Sequence, residues 1–334
     1  MPDLFNFTEI QQPIAKLLSQ QLEQVTIIFE RQLASDLSAV NALCMHVEQY
    51  RGKMLRPTLV LLSGLAAGAS PGDESVLNDK HRTVAAVAEM IHMATLVHDD
   101  VLDEAKVRRR GATVNHLWGN EAAVMLGDYL ISNAFHLCSS LNDPQINLAL
   151  GGVTNTICEG ELLQLHHRDD YAIDDATYFE IVRRKTASLI GECCRLGASL
   201  AGADGGASRA AFAFGLSLGV AYQIQDDLLD LVGDQAVVGK SLGTDLGKGK
   251  LTLPVIRYLA AADPAPRNEA LRLIQEGDAA ALRLRLIESG AVEHTRQTSA
   301  RLIAEAQGEL DRLPRSPARE LLQVLAEGGL SRVS

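Results

Sequence analysis

Apolar and small residues recur at three- and four-residue spacing along most of the chain, as in Val84, Val87, Ala88, Ile91, Ala94 and Thr95. That is the period of a helix with one buried face. Prolines are absent between Pro71 and Pro144, and 109 residues without one separate Pro144 from Pro254. Both intervals are rich in good helix formers. The pattern predicts helices over 8–34, 37–50, 55–69, 79–104, 119–140, 145–167, 174–201, 205–232, 251–262, 266–277, 278–289, 291–312 and 315–328. Alternating β-branched runs closed by tight turns are missing, so no sheet is expected. The segment from Gly233 to Lys250 carries five glycines and three lysines between helices, which predicts a mobile functional loop.

Composition narrows the class. With 47% hydrophobic and 22% charged residues, the chain has the balance of a globular protein. No linker, low-complexity segment or fixed-period repeat divides it, so one all-α helical-bundle domain over 1–334 is expected. The opening MPDLFNFTEI has neither a basic nor an apolar region of the secretory kind. The longest apolar stretch, Thr58 to Ala69, is too short to span a bilayer. Five cysteines, odd in number and without C-x-x-C spacing, fit a reducing compartment, and the cytoplasm is the default expectation. A net charge of −11 argues against nucleic acid as partner.

The chemistry lies in two segments with one grammar. HDDVLDE holds Asp99, Asp100 and Asp103; QDDLLDL holds Asp226, Asp227 and Asp230. Both follow strongly apolar helical sequence. Residues four apart share a helix face, and like charges there cost roughly 0.2–0.5 kcal/mol even when exposed. Burial multiplies that cost. A cation neutralising each set explains why a helix tolerates this twice. Carboxylate oxygens on a rigid helix suit Mg²⁺, which completes its shell with water and phosphate oxygens. Two such clusters, 127 residues apart, would face each other across a bundle core. A solvated acidic face explains one cluster as well as a metal does, but two with identical spacing poorly. The spacing of an EF-hand is absent.

Three basic groups stand where an acidic protein needs them: Arg51, Lys53 and Arg56; Arg108, Arg109 and Arg110; and Lys240, Lys248 and Lys250. Arginine suits bidentate phosphate contact and lysine acts as a point charge. Gly233 to Lys240 is not a phosphate-binding P-loop, because five residues separate its glycines where four are needed and no strand precedes them. His92 and His98 share no helix face, and His166–His167 has no zinc spacing. For His92, a phosphate contact and a hydrogen-bonded structural role are equally open.

These residues resemble the trans-isoprenyl diphosphate synthase (polyprenyl synthetase) family, from about residue 45 to the end. The motifs GKMLRP, IHMATLVHDDVLDEAKVRR, GDYL, EGELLQL, RRKTASLI, YQIQDDLLDLVGD and GKSLGTDLGKGKLTLP stand in the family's order. Long-chain members, such as octaprenyl diphosphate synthases, look most similar. The resemblance implies the isoprenoid synthase fold, a bundle of long helices around a central apolar cavity, and a homodimer. It implies three Mg²⁺ ions on Asp99, Asp103 and Asp226, supported by Asp100, Asp227 and Asp230. Arg108, Lys185 and Lys250 would contact the allylic diphosphate; Lys53, Arg56, His92 and Arg109 would bind isopentenyl diphosphate. Thr186 and Gln223 would lie over the reacting carbons, while Lys240 and Asp245 close the site. Two departures stand out: Arg51 and Arg110 occupy positions where the family has glycine.

The implied reaction adds isopentenyl diphosphate units to an allylic diphosphate, farnesyl diphosphate being the expected primer. Ionisation of the allylic C–O bond comes first, then attack by the double bond, then proton loss, with Tyr222 and Thr186 sheltering the cation. In the family, bulky aromatics one turn before the first cluster stop growth at short products. Here Ala94 and Thr95 stand there, leaving a channel towards Ile91 and the 119–140 helix, so a long product is expected. A short-chain (farnesyl or geranylgeranyl) synthase, a terpene cyclase or head-to-head enzyme, a non-catalytic partner subunit and an acidic helical scaffold are the competing readings.

Overall fold

A computed structural model describes residues 12–48, 50–68, 74–109, 111–233 and 243–330. In chain order the helices are α1 (Gln12–Leu33), α2 (Ser38–Glu48), α3 (Leu55–Ala67), α4 (Asp79–Leu102), α5 (Val114–Trp118), α6 (Asn120–Ser139), α7 (Pro144–His166) and α8 (Asp175–Val182). They continue as α9 (Ser188–Leu200), α10 (Gly205–Val232), α11 (Thr244–Gly247), α12 (Leu253–Ala261), α13 (Pro264–Glu276), α14 (Ala279–Glu288), α15 (Ala291–Leu310) and α16 (Pro317–Leu330). The described residues form two compact units. One comprises those up to Thr154, with Glu192–Phe212 and Leu310–Leu322; the other comprises Asn155–Gly191, Ala213–Glu309 and those from Gln323 onward.

In the first unit, α4 packs against α1, α3 and α6. Its Val84, Val87, Met90, Ile91, Ala94 and Val97 have no exposed surface, and each larger side chain so buried stabilises the fold by about 1.5–3 kcal/mol. α1 buries Leu18, Leu22, Val25, Phe29 and Leu33, the stripe its periodicity predicts. The start of α4 is set by Asn78, whose side chain accepts from the N–H groups of Lys80 and His81 while the His81 ring turns back to the Asn78 N–H. In the second unit, Val220, Ile224, Leu228 and Leu231 of α10 share a core with Leu253, Ile256 and Leu259 of α12.

Within the described residues the predicted helices all appear, with four differences. A two-residue hairpin pairs β1 (Val107–Arg108) with β2 (Gly111–Ala112), where no strand was expected. Its turn carries Arg109 at a φ of 48°, and it is pinned at its base by the Thr113 hydroxyl donating to Ala105 O at 2.6 Å. Hydrogen bonds that local fix this turn, and hydrophobic alternation is too short to announce it. The stretch read as one helix over 174–201 is interrupted by a π turn at Arg183–Ala187, where Ser188 N donates to Arg183 O. The first helical half of the aspartate region ends at Leu102, so Asp103 caps α4 instead of lying within it. The short helices α5 and α11 fall below the length at which periodicity speaks.

Candidate active site

Both aspartate sets occupy the C-terminal turns of their helices. Asp99 and Asp100 lie in the last turn of α4, and Asp103 caps it, its N–H donating to Asp99 O at 2.8 Å. Asp226, Asp227 and Asp230 lie in the last two turns of α10. A helix C-terminus carries about half a negative charge, which favours cations and opposes carboxylates. Each helix places three carboxylates at that end, and oxygen donors of that kind suit a divalent ion. Among the described residues, no three acidic, histidine or cysteine side chains converge closely enough to hold a metal by themselves. An ion here would therefore take its remaining ligands from water and phosphate oxygens, as Mg²⁺ commonly does.

Within the first set the members differ. Asp99 and Asp103 are half-buried, whereas Asp100 is 1% exposed. Arg108 Nε donates to both Asp100 oxygens at 2.9 and 3.0 Å, and its Nη2 lies 2.7 Å from Oδ1. Burial pushes the Asp100 carboxyl above the usual range, with the Arg108 contacts pulling the other way. Asp100, expected among the metal carboxylates, thus has both oxygens engaged by an arginine that the hairpin delivers.

The same hairpin sends Arg109 elsewhere. Its Nη1 donates to Tyr50 O, and its guanidinium lies on Gly52, where a Cβ would come within 2.5 Å of it. A larger residue there would displace the flexible end of Arg109. Burial, with the charges of Arg56, in the first turn of α3, and of Arg109 and Arg108, holds the His92 imidazole well below its ordinary range. Lys53 is exposed. Beneath these groups lies Glu89, one turn before His92 and 2% exposed. Burial raises its carboxyl, while Arg56, Arg109 and Arg51 lower it. The sequence reading missed Glu89, although a lone glutamate inside the apolar run AAVAEMIHM was its available signal. Arg51 contacts Glu30 at 3.4 Å and Glu48 at 3.7 Å and stacks on Phe29 at 4.7 Å. Its charge is met by those carboxylates. Arg110 and Lys240 lie outside the described residues.

In the second unit, four side chains form one hydrogen-bonded chain. Thr186 Oγ1 donates to Gln223 Oε1 at 3.0 Å, Gln223 Nε2 donates to Asp227 Oδ1 at 2.9 Å, and the Tyr178 hydroxyl donates to Asp227 Oδ2 at 2.6 Å. Asp227 is buried, and burial with the nearby charge of Asp245 pushes it up to about 7. Asp226 is exposed. Asp230 takes a third role: Oδ1 accepts from Thr244 N at 3.2 Å and Thr244 Oγ1 at 2.5 Å, and Oδ2 from Asp245 N at 3.2 Å. It anchors the start of α11. Past that helix, the half-buried Lys250 donates its N–H to Asp245 O at 2.9 Å.

Lys185 and Thr186 sit in the π turn. Such single-turn π segments recur at functional sites. Lys185 Nζ pairs with Glu161 and donates to Gln164 Oε1 at 2.9 Å. The turn fits between two glycines: a Cβ at Gly160 would lie 2.5 Å from Lys185 N, and one at Gly219 2.6 Å from Ala187 Cα. Tyr222 is buried, with its hydroxyl donating to Leu325 O at 2.7 Å. One turn before the first aspartate set, Ala94 has no exposure and the Thr95 hydroxyl is turned to His92 O at 2.8 Å. α6 buries Leu126, Leu130, Ala134 and Cys138 against this side of the unit. No helix among the described residues is long and apolar enough to cross a membrane.

A family model described as polyprenyl synthetase matches residues 38–287. The octaprenyl diphosphate synthase of Escherichia coli strain K12 is 33% identical over 323 residues, covering 96% of this chain and 98% of that protein. A short chain isoprenyl diphosphate synthase of Methanothermobacter thermautotrophicus is 34% identical over 294 residues, covering 86% and 88%. Among solved structures, a polyprenyl synthase from Caulobacter crescentus CB15, complexed with calcium and isoprenyl diphosphate, is similar with a TM-score of 0.88. It is 33% identical, and the match covers 97% of this chain and 98% of that one.

Proposed function

The chain belongs to the polyprenyl synthetase family of prenyltransferases, with the isoprenoid synthase fold, and from that premise we propose that it lengthens an allylic diphosphate, farnesyl diphosphate in the first instance, with isopentenyl diphosphate to a long polyprenyl diphosphate. The observation that carries this reading is the placement of two D-D-x-x-D sets at the C-terminal ends of α4 and α10. Asp99, Asp103 and Asp226 are the carboxylates suited to divalent ions, up to three with substrate present. Bound Mg²⁺ would supply charge neutralisation for the departing diphosphate.

The chain's own residues account for the rest. Arg108, held by Asp100, and Lys185, held by Glu161 and Gln164, are pre-oriented cations for the allylic diphosphate, joined by Lys250. Electrostatic groups fixed before reaction need no reorganisation as the C–O bond ionises. Arg56, Arg109, Lys53 and neutral His92 bind isopentenyl diphosphate. Neutral His92 donates one hydrogen bond without adding to the arginines' mutual repulsion. Thr186 and Gln223 place oxygen dipoles beside the allylic cation, and the proton lost after condensation goes to the released diphosphate. Small Ala94 and Thr95 leave room for a growing chain. Similar identity to an octaprenyl and to a short-chain enzyme means that these two residues, not overall likeness, carry the long-chain assignment. Cytoplasmic action as a homodimer completes the proposal.

The test is incubation with labelled isopentenyl diphosphate, farnesyl diphosphate and Mg²⁺, followed by chain-length analysis. Long products, and at least about a hundredfold loss of kcat in Asp99→Asn and Asp226→Asn, are expected. Turnover close to the parent's in either variant contradicts the carboxylate assignment. Products that stop at geranylgeranyl length select the short-chain reading, and conversion of allylic diphosphate without isopentenyl diphosphate selects a cyclase.

A further inference from the structure

We propose that Tyr178 is a positioning residue for the condensation: through Asp227 and Gln223 it fixes the direction in which the Thr186 hydroxyl points. This rests on the prenyltransferase reading above, in which Thr186 and Gln223 act beside the reacting carbons. Tyr178 belongs to no motif of the sequence. It stands 49 residues from Asp227 and joins it only through the fold.

The argument is one of donors and acceptors. An amide is two-faced, with a donor NH₂ on one side and an acceptor oxygen on the other. Gln223 is half-buried, four residues from Asp227 on α10. Asp227 Oδ1 accepts from Gln223 Nε2 at 2.9 Å, so the Gln223 oxygen must face the other way. There it meets Thr186 Oγ1 at 3.0 Å, and the threonine hydrogen is committed to that bond. The two lone pairs of Thr186 Oγ1 are then directed away from Gln223, and a developing cation is met by oxygen density instead of an O–H.

Everything upstream depends on Asp227 remaining an acceptor in one orientation. Tyr178 secures this from the opposite side, donating to Oδ2 at 2.6 Å. The phenol is 5% exposed, and towards a carboxylate oxygen, which offers only lone pairs, its O–H can only donate. Without that donor the carboxyl is free to rotate away from Gln223. With Oδ1 no longer fixed, nothing holds the Gln223 amide against a flip, after which Thr186 would have to accept from NH₂. The polarity of the whole chain would reverse with no change in packing.

The test is steady-state kinetics of Tyr178→Phe alone and combined with Thr186→Val or Thr186→Ser, with folding checked by circular dichroism. Tyr178→Phe should lower kcat by roughly tenfold to a hundredfold with little change in either KM. In the Thr186→Val background the same change should have no further effect, because no hydroxyl remains to be oriented; in Thr186→Ser the effect should persist. Should Tyr178→Phe not fold, 3-fluorotyrosine at position 178 keeps the packing and alters only the donor, and kcat should move while KM holds. Undiminished kcat in Tyr178→Phe, an unchanged kcat on fluorination, or a loss that multiplies fully in the Thr186→Val background would overturn the inference. An unmutated protein that elongates normally beside any of these results isolates the failure here, whereas one that fails to elongate any allylic primer brings down the parent reading and this inference with it.

Discussion

Replacing Asp100 with asparagine isolates the buried ion pair that holds Arg108 against the end of α4. The carboxylate is 1% exposed and receives Arg108 at 2.7, 2.9 and 3.0 Å. Removing one partner of a buried pair costs about 3–5 kcal/mol, because the survivor keeps its desolvation penalty without its counter-charge. Two features reduce that figure here. The Arg108 side chain is 21% exposed and can recover some water, and asparagine retains one acceptor oxygen. A loss of about 2–3 kcal/mol is therefore expected. Urea unfolding followed by far-UV circular dichroism should show a lower midpoint at an unchanged slope. Arg108→Met should cost a comparable amount. The double variant should be more stable than the sum of the two predicts, by about 1.5 kcal/mol or more, since it leaves neither charge unpaired. A loss below about 0.5 kcal/mol in Asp100→Asn, or strict additivity, would refute the reasoning.

Ala94→Tyr, at a position with no exposure one turn before Asp99, should shorten the product; an unaltered chain-length distribution by reversed-phase chromatography counts against the channel. Gly160→Ala should cost about 1–3 kcal/mol in denaturant titration and depress turnover, because its Cβ would meet Lys185 N at 2.5 Å, whereas Gly308→Ala, with nothing near it, should be neutral or stabilising. His81 is fully buried, with Nε2 3.1 Å from Gly197 O, and burial holds its imidazole below the ordinary range. The unfolded chain protonates this group near about pH 6.5, so its contribution is complete above that pH and is lost as the pH falls below it. His81→Gln should flatten part of the acid limb of stability against pH, and an identical slope in the variant would exclude His81 as a source.

The reach of periodicity is visible at α4. The stripe from Val84 to Ala94 announced a buried helix, and its exposure pattern bears that out because 3.6-residue geometry is local. The same locality made the aspartate sets legible, since carboxylates four apart on an apolar helix are costly wherever that helix packs. Lys185 and Thr186 were legible only by likeness to a family. The π turn that presents them depends on Gly160 and Gly219 from other helices, which no window around RRKTA contains.

The amino-acid sequence alone determined the helical class, the two acidic sets and the basic groups that balance them, because spacing along one helix and net charge are properties of the chain. Only the tertiary structure decided how equivalent aspartates divide their work: Asp100 to Arg108, Asp227 to Tyr178 and Gln223, Asp230 to the start of α11, with Asp99 and Asp103 half-buried and Asp226 exposed. Three carboxylates in one motif look alike in a linear pattern. Burial and hydrogen-bond partners from distant segments distinguish them, and those exist only once the chain has folded.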